Sequence, residues 1–421
     1  MQIPLAIVAV ALGALDSGRA SEKALASYTA WLQGCIQALQ RDVPAMTPSA
    51  EAAARRFVLD GWTLAAWGDE GFVAEITGRA GGLMPIDPVD AAPGKTIVLL
   101  APRSARLEND LDQARRFAER GDRVILFARR AVLDEAVRAG VRPAAAFDTH
   151  AAPHGGLVAS GDTWLIPTDP PASIAAVWTW TAEFVAACTR LGKMPVMWQS
   201  IMAPGSAERN KAHAGKRFED AAPAPLKPGA LGREYLAKLD ANVRAVFVGE
   251  RSALRQAAER AARAQAQGGR LYAYLVGHAT ALQPGIPGDP GLFSALHAAA
   301  GPSGGALSLT PSDFVLCVGY DRIPAGESNA EIAEKVRAAG AAVAWSFTDY
   351  RPEEVKAVRP GETYIDQRWP LGDAVVTVPG YDVRILPTSG VISCGLYWAI
   401  NAGVLATAPV PEQARRDARS E

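Results

Sequence analysis

Glu75 and Arg79 stand four residues apart in the stretch GDEGFVAEITGRAGGLMPI, Gly68 to Ile86, which follows the apolar run WTLAAW. On a helix that spacing brings a carboxylate and a guanidinium together. The carboxylate can shuttle a proton, and the guanidinium can hold an oxyanion. Gly68 precedes them where a strand ends, and glycine there lets backbone N–H groups come close to an anion. A second loop, APRSAR from Ala101 to Arg106, offers the Ser104 hydroxyl with the guanidinium groups of Arg103 and Arg106. Serine and arginine between a strand and a helix N-terminus make a phosphate cradle that needs no Walker lysine. A solvated strand-to-helix turn is the alternative for the same residues.

The second half of the chain carries a comparable set. VGHATALQPG places Gly277 and His278 after a strand, where the histidine serves as an acid or base, or as a hydrogen-bonded structural residue. GYDRIPAGESN holds Arg322, Ser328 and Asn329, and LPTSG puts Thr388 and Ser389 where the last helix begins. Ser and Thr at that point cap a helix or bind a ligand oxygen. Other matches fail on context. GPSGG, Gly301 to Gly305, fits the hydrolase elbow G-x-S-x-G, but that motif needs a strand before it and LFSALHAAA reads as helix. Asp148, His150 and His154 in DTHAAPHGG sit on a loop with no third ligand fixed, so no metal is expected. No G-x-G-x-x-G follows a strand, and no cofactor is expected.

Positioning these groups requires an alternating α/β chain. Ser21 caps a helix, SEKALASYTAWLQGCIQALQ, and a second helix, SAEAAARRFVLDG, leads into the strand WTLAAW. KTIVLLAP, DLDQARRFAERG and RVILFA follow as strand, helix and strand, the signature of a parallel sheet. A Pro-rich turn and a long apolar helix, within DTWLIPTDPPASIAAVWTWTAEFVAACTRLG, close the half. Residues 193–249, rich in Pro, Gly and charge, read as an extended connector on the surface. The pattern then restarts at an offset of about 205–215 residues, a duplicated domain rather than a solenoid. Duplication builds within one chain what a homodimer builds from two.

At 421 residues, half of them hydrophobic, the chain suits two domains with sizeable cores. Lys plus Arg number 43 against 44 Asp plus Glu, which argues against a nucleic-acid partner. Cys35, Cys188, Cys317 and Cys394 are scattered without CxxC spacing and read as structural thiols. Residues 1–20 contain an apolar run, Ile3 to Leu15, too short to span a bilayer and ending in Gly18-Arg19-Ala20. An export signal, placing the protein in the periplasm or envelope, is the leading expectation. A buried first element of a cytoplasmic protein is the alternative. No integral membrane segment is expected in the mature chain.

GRAGGLMPI after a strand-glycine turn, with Glu75 on the same helix, resembles the opening of SIS (sugar isomerase) domains. Ser104 and Arg106 fall on the serine and arginine of that family's second loop, with FAERGDRVI at its spacing. Gly277 and His278, GDAVVTVPGYDVRILPTSGV and the final apolar helix carry the likeness in the second copy. The resemblance is to phosphosugar-binding proteins related to muramic-acid-phosphate etherase and phosphoheptose isomerase, over most of residues 49–192 and 250–407. It implies two three-layer α/β/α sandwiches, each with a five-stranded parallel sheet, at 21–192 and 250–407, with a tail at 408–421. It implies a sugar-phosphate site at the strand ends, near the interface of an internal pseudo-dimer that itself could oligomerise further. It also implies Glu75 or His278 as the base of an aldose–ketose isomerisation, with phosphate donors drawn from Gly68, Arg79, Arg103, Ser104, Arg106, Gly277, Ser328, Thr388 and Ser389. Neither copy keeps all three loops: the second loop of copy two has become GYDRIPAGESN, and TDPPAS in copy one keeps only Ser173. That points to one composite site or a degenerate binder. A non-catalytic sensor or scaffold and an exported protein acting on cell-wall sugars are the alternatives.

Overall fold

The computed structural model describes residues 5–89, 95–277, 282, 284–296, 308–320, 329–348, 358–370 and 372–407. His278, Ser328, Arg322 and the GPSGG stretch lie outside them. The first element, α1 (Leu5–Val58), is one helix where two were expected, and it runs without a break through residue 20. Pro44 and Pro48 lie inside it and withhold two N–H donors. Packing overrides that local cost. Leu32, Ile36, Leu39, Val43, Met46, Ala50 and Phe57 recur at helical spacing and are all buried. Ser21 is therefore not an N-cap; it is a buried residue within the helix.

Copy one continues with β1 (Thr63–Gly68), α2 (Glu70–Ile76), β2 (Ile86–Pro88), β3 (Thr96–Ala101), α3 (Leu107–Glu119), β4 (Arg123–Ala128), α4 (Arg130–Arg138) and β5 (Ala145–Asp148). The strands form a parallel sheet in the order β2-β1-β3-β4-β5. A hairpin, β6 (Gly156–Ser160) with β7 (Thr163–Pro167), then feeds the helix α5 (Asp169–Arg190). Successive strand residues face opposite ways. Ile97, Leu99, Ile125 and Phe127 join a core with α1 and α5, while Val98, Leu100, Val124 and Leu126 pack beneath α3 and α4.

Residues 193–249 depart from the expected surface connector. They contain α6 (Ser206–His213) and α7 (Ala230–Val243), and the latter buries Leu231, Tyr235, Leu236, Leu239 and Val243. Buried Glu183 of α5 accepts the N–H groups of Gly229 at 2.7 Å and Gly232 at 3.0 Å at the start of α7. The carboxylate meets the unpaired donors of a helix N-terminus, which fixes α7 inside the core.

Copy two repeats the plan with α8 (Arg251–Ala266), β8 (Leu271–Val276), β9 (Phe293–Ala295), β10 (Phe314–Tyr320), α9 (Asn329–Ala339), β11 (Ala342–Thr348) and β12 (Thr363–Asp366). Its parallel sheet runs β9-β8-β10-β11-β12, the order of the first sheet. A hairpin, β13 (Ala374–Val376) with β14 (Ile385–Pro387), feeds α10 (Ser389–Thr407). LFSALHAAA is not a helix at Phe293–Ala295, where β9 pairs with β8. α10 is long and apolar enough to cross a membrane, yet Ser389–Val404 are buried. Together with α1, α5, α7 and α8 it fills one continuous core that takes residues from both sheets. The result is two α/β sandwiches sharing their inner helical layer. All four cysteines are free and buried.

Candidate functional site

The carboxyl ends of β1, β3, β4 and β5 converge with the N-terminus of α5 on a cleft in copy one. Its polar lining is Asp69, Ser104, Arg129, Thr149, Asp169 and Ser173. Ile286 and Pro287 of copy two complete the wall beside Phe127 and Val132. The cavity measures about 50 Å³. At about 10–15 Å³ per water, that seats a small head group but does not enclose a hexose phosphate, whose remainder would extend outward.

Charge in the cleft is mixed. Asp169, the first residue of α5, accepts from Ser104 Oγ at 3.2 Å and from Arg129 Nη1. Arg129 Nη1 also donates to Ser104 Oγ at 3.2 Å. Asp69 caps α2, its Oδ1 accepting the Phe72 N–H at 2.9 Å. Burial pushes the Asp169 carboxyl up; Arg129 and Ser104 pull it down, and the charge of Asp69 raises it again. Burial likewise raises Asp69 against the N–H groups of Phe72 and Gly71. Two carboxylates against one guanidinium leave the cleft net negative when both are ionised. Among the described residues, Arg129 Nε and Thr149 Oγ1 are buried donors with no hydrogen-bond partner. Buried donors are nearly always satisfied, and both of these belong to residues that line the cleft.

Of the residues expected from sequence, Ser104 lines this cleft. Gly68 stands at its base with φ 111, where a Cβ would lie 1.9 Å from the Ala101 carbonyl oxygen. Its glycine is required by the approach of β3, whatever binds above. Arg103 turns to Asp110 through its backbone N–H and Nε, at 2.7 and 3.0 Å, and stacks on Trp67. Arg106 is exposed and is not among the lining residues.

Glu75 and Arg79 correct the expectation most strongly. They are not in the cleft but in the core, as an ion pair of 3.5 Å with both side chains 2% exposed. Arg79 Nη2 also donates to Asp373 Oδ2 at 2.8 Å and to Ser389 Oγ. Ser389 in turn donates to Asp373, from its N at 3.0 Å and its Oγ at 2.6 Å. Thr388 Oγ1 donates to Asn242 Oδ1 at 2.8 Å. The hydroxyls expected to hold a ligand are therefore engaged by the protein's own side chains. Burial drives the Glu75 carboxyl up to about 7; Arg79 lowers it, Asp373 raises it, and the Trp178 Nε1 hydrogen bond lowers it. Gly277, exposed with φ 92, directly follows β8. His150 pairs with Asp42 at 2.6 Å, donates its backbone N–H to Asp148 at 3.0 Å and holds its ring 4.0 Å from that carboxylate, while His154 stacks on Trp164.

No protein-family model matches the chain, and no curated protein matches it in sequence. Solved structures do. A candidate phosphosugar isomerase from Silicibacter pomeroyi DSS-3 is similar at a TM-score of 0.45 and 13% identity, over 93% of this chain and 97% of that one. The C-terminal domain of glucosamine-fructose-6-phosphate aminotransferase from Francisella tularensis follows at 0.46 and 12%, over 91% and 93%. A candidate phosphosugar isomerase from Clostridium difficile 630 reaches 0.49 at 6% identity, over 92% and 93%. The likeness runs through both copies. At TM-scores below 0.5 it transfers no chemistry, and the roles of residues rest on this chain's own geometry.

That geometry relates the two copies as an internal pseudo-dimer. The Ile166 N–H donates to the Gly288 carbonyl at 2.9 Å, and the Leu386 N–H to the Gly81 carbonyl at 2.8 Å. Each copy thus lays its first strand-to-strand loop on the last hairpin of the other. Gly156 pairs with Pro167 as Ala374 pairs with Pro387. Asp169 therefore corresponds to Ser389, and Gly155 to Asp373. Both helix starts hold an arginine–aspartate pair, Arg129–Asp169 and Arg79–Asp373. Asp169 is 33% exposed and Asp373 0%. One socket is open and the other is filled.

Asp169, Arg129 and Asp69 escaped the sequence reading. Asp169 sits inside the quoted TDPPAS, where a proline-rich turn masks a helix start. Arg129 stands at the N-cap of α4 in the tract FARRAV, which reads as ordinary charge at a helix beginning.

Proposed function

We propose that the protein binds a phosphorylated sugar at the cleft of copy one, with one site per chain. The observation that carries this is the pair of unengaged donors, Arg129 Nε and Thr149 Oγ1, beside Ser104 and the N-terminus of α5. A phosphate monoester needs several donors at short range, and guanidinium and helix N–H groups serve best. Asp169 now holds Arg129, so a dianion must displace it or bind when it is protonated. Binding is the better reading than isomerisation, because the helix glutamate is locked against Arg79 in the core. In this reading residues 21–192 hold the ligand and residues 250–407 brace it.

Isothermal titration with inorganic phosphate, glucose, and hexose and hexosamine 6-phosphates tests the proposal. Micromolar to low-millimolar binding of a sugar phosphate at one per chain, lost at least tenfold in Arg129→Met, is expected. Glucose binding as well as glucose 6-phosphate, or no binding by any phosphate ester, would overturn it.

A further inference from the structure

We infer that Ile286, supplied by copy two, sets the specificity of the copy-one cleft for a ligand bearing an apolar substituent, and this rests on that cleft being the sugar-phosphate site. The pseudo-symmetry identifies the position. Gly81 and Gly288 make the reciprocal hydrogen bonds, and in each copy the next strand begins five residues later, at Ile86 and Phe293. Two residues before each glycine stand Arg79 and Ile286. The same point of the same loop, reaching into the same end of the opposite copy, thus carries a guanidinium in one case and a branched alkyl group in the other.

The consequences differ. Arg79 crosses to Asp373 and Ser389 and fills the copy-two socket with charge. Ile286 lines the copy-one cleft, brings no hydrogen-bonding group, and leaves Asp169 to Arg129 of its own sheet. Residues 285–291, which present it, are held in place. Asp289 accepts the N–H groups of Gly285 at 2.6 Å and Gly291 at 2.9 Å, and the Gly288 carbonyl is anchored by Ile166. Gly288, with φ 84, is in a backbone conformation that strains any other residue, and a Cβ there would lie 3.1 Å from the Trp164 carbonyl oxygen. A rigid apolar wall facing Ser104 and Arg129 favours a sugar phosphate whose substituent next to the polar head is an acyl or alkyl group, because a bare hydroxyl there would lose water without gaining a partner.

Calorimetric titration with N-acetylglucosamine 1-phosphate and glucose 1-phosphate, which differ only at C2, the carbon beside the phosphorylated one, tests this on wild type, Ile286→Ser and Ile286→Val. Thermal melts check that each variant is folded. Wild type should prefer the acylated ligand roughly tenfold. Ile286→Val should keep most of that ratio, and Ile286→Ser should bring it near one. If wild type binds both ligands equally, or if Ile286→Ser keeps the preference, the role of Ile286 is overturned while the cleft remains a sugar-phosphate site. If wild type binds neither ligand, the role of Ile286 falls; if it binds no hexose or hexosamine 6-phosphate either, the parent reading falls as well.

Discussion

Arg79 meets Glu75, Asp373 and Ser389 in a place that water does not reach, so its charge is compensated by protein groups and not by solvent. Removing it leaves two carboxylates buried without a cation. Arg79→Met is expected to destabilise the protein by about 3–5 kcal/mol, read from urea unfolding midpoints at constant m. Glu75 gives a pH signature. Its folded value of about 7 lies above the ordinary 4.5, so the protonated form is the one the fold prefers. Stability from this group is complete below 4.5 and is lost as pH rises to about 7. The loss is about 3 kcal/mol. Glu75→Gln should flatten the stability profile across that window, and an unchanged slope would assign the titration elsewhere. Asp169 makes the opposite kind of prediction, on binding. Its carboxyl, raised by burial, lines the cleft of the proposed phosphate, so removing its negative charge should strengthen binding. Asp169→Asn should bind a sugar phosphate more tightly than wild type in titrations at one fixed pH, and weaker binding would show that Asp169 supports the ligand.

At the scale of elements, the start of α10 shows what packing demands of a helix. Alanine normally favours a helix interior over glycine by about 1 kcal/mol. At Gly390 a Cβ would stand 2.1 Å from Glu75 Oε1. Gly390→Ala is therefore expected to destabilise by about 1–3 kcal/mol, measured by denaturant melts; a gain in stability would mean Glu75 can move aside freely. The alternation of strands and glycine-ended helices was legible in sequence because apolar runs and helical periodicity do not depend on distant partners. α1 was not, since Pro44 and Pro48 read as a break and only the packed face of the folded helix overrules them. Glu75 and Arg79 were legible as neighbours. Their burial was not, because Asp373, which completes the pair, lies 294 residues from Arg79 along the chain. Ser104 could be read as a strand-end hydroxyl, whereas Arg129 needed the sheet to bring it across.

For the molecule as a whole, the inner helices belong to neither copy alone. α1, α5, α7, α8 and α10 share one core with both sheets. Unfolding should then be a single cooperative event, with tryptophan fluorescence and far-ultraviolet circular dichroism giving coincident urea transitions. Two separated steps would show that the sandwiches hold together independently.

Two identical subunits related by a twofold axis must present the same side chain at both of their shared pockets, so a change that helps one harms or helps the other equally. Joining the halves in one polypeptide removes that bond between them. Isoleucine can stand on one side and arginine on the other, and mutation can reshape a recognition surface while its mirror image becomes a rivet.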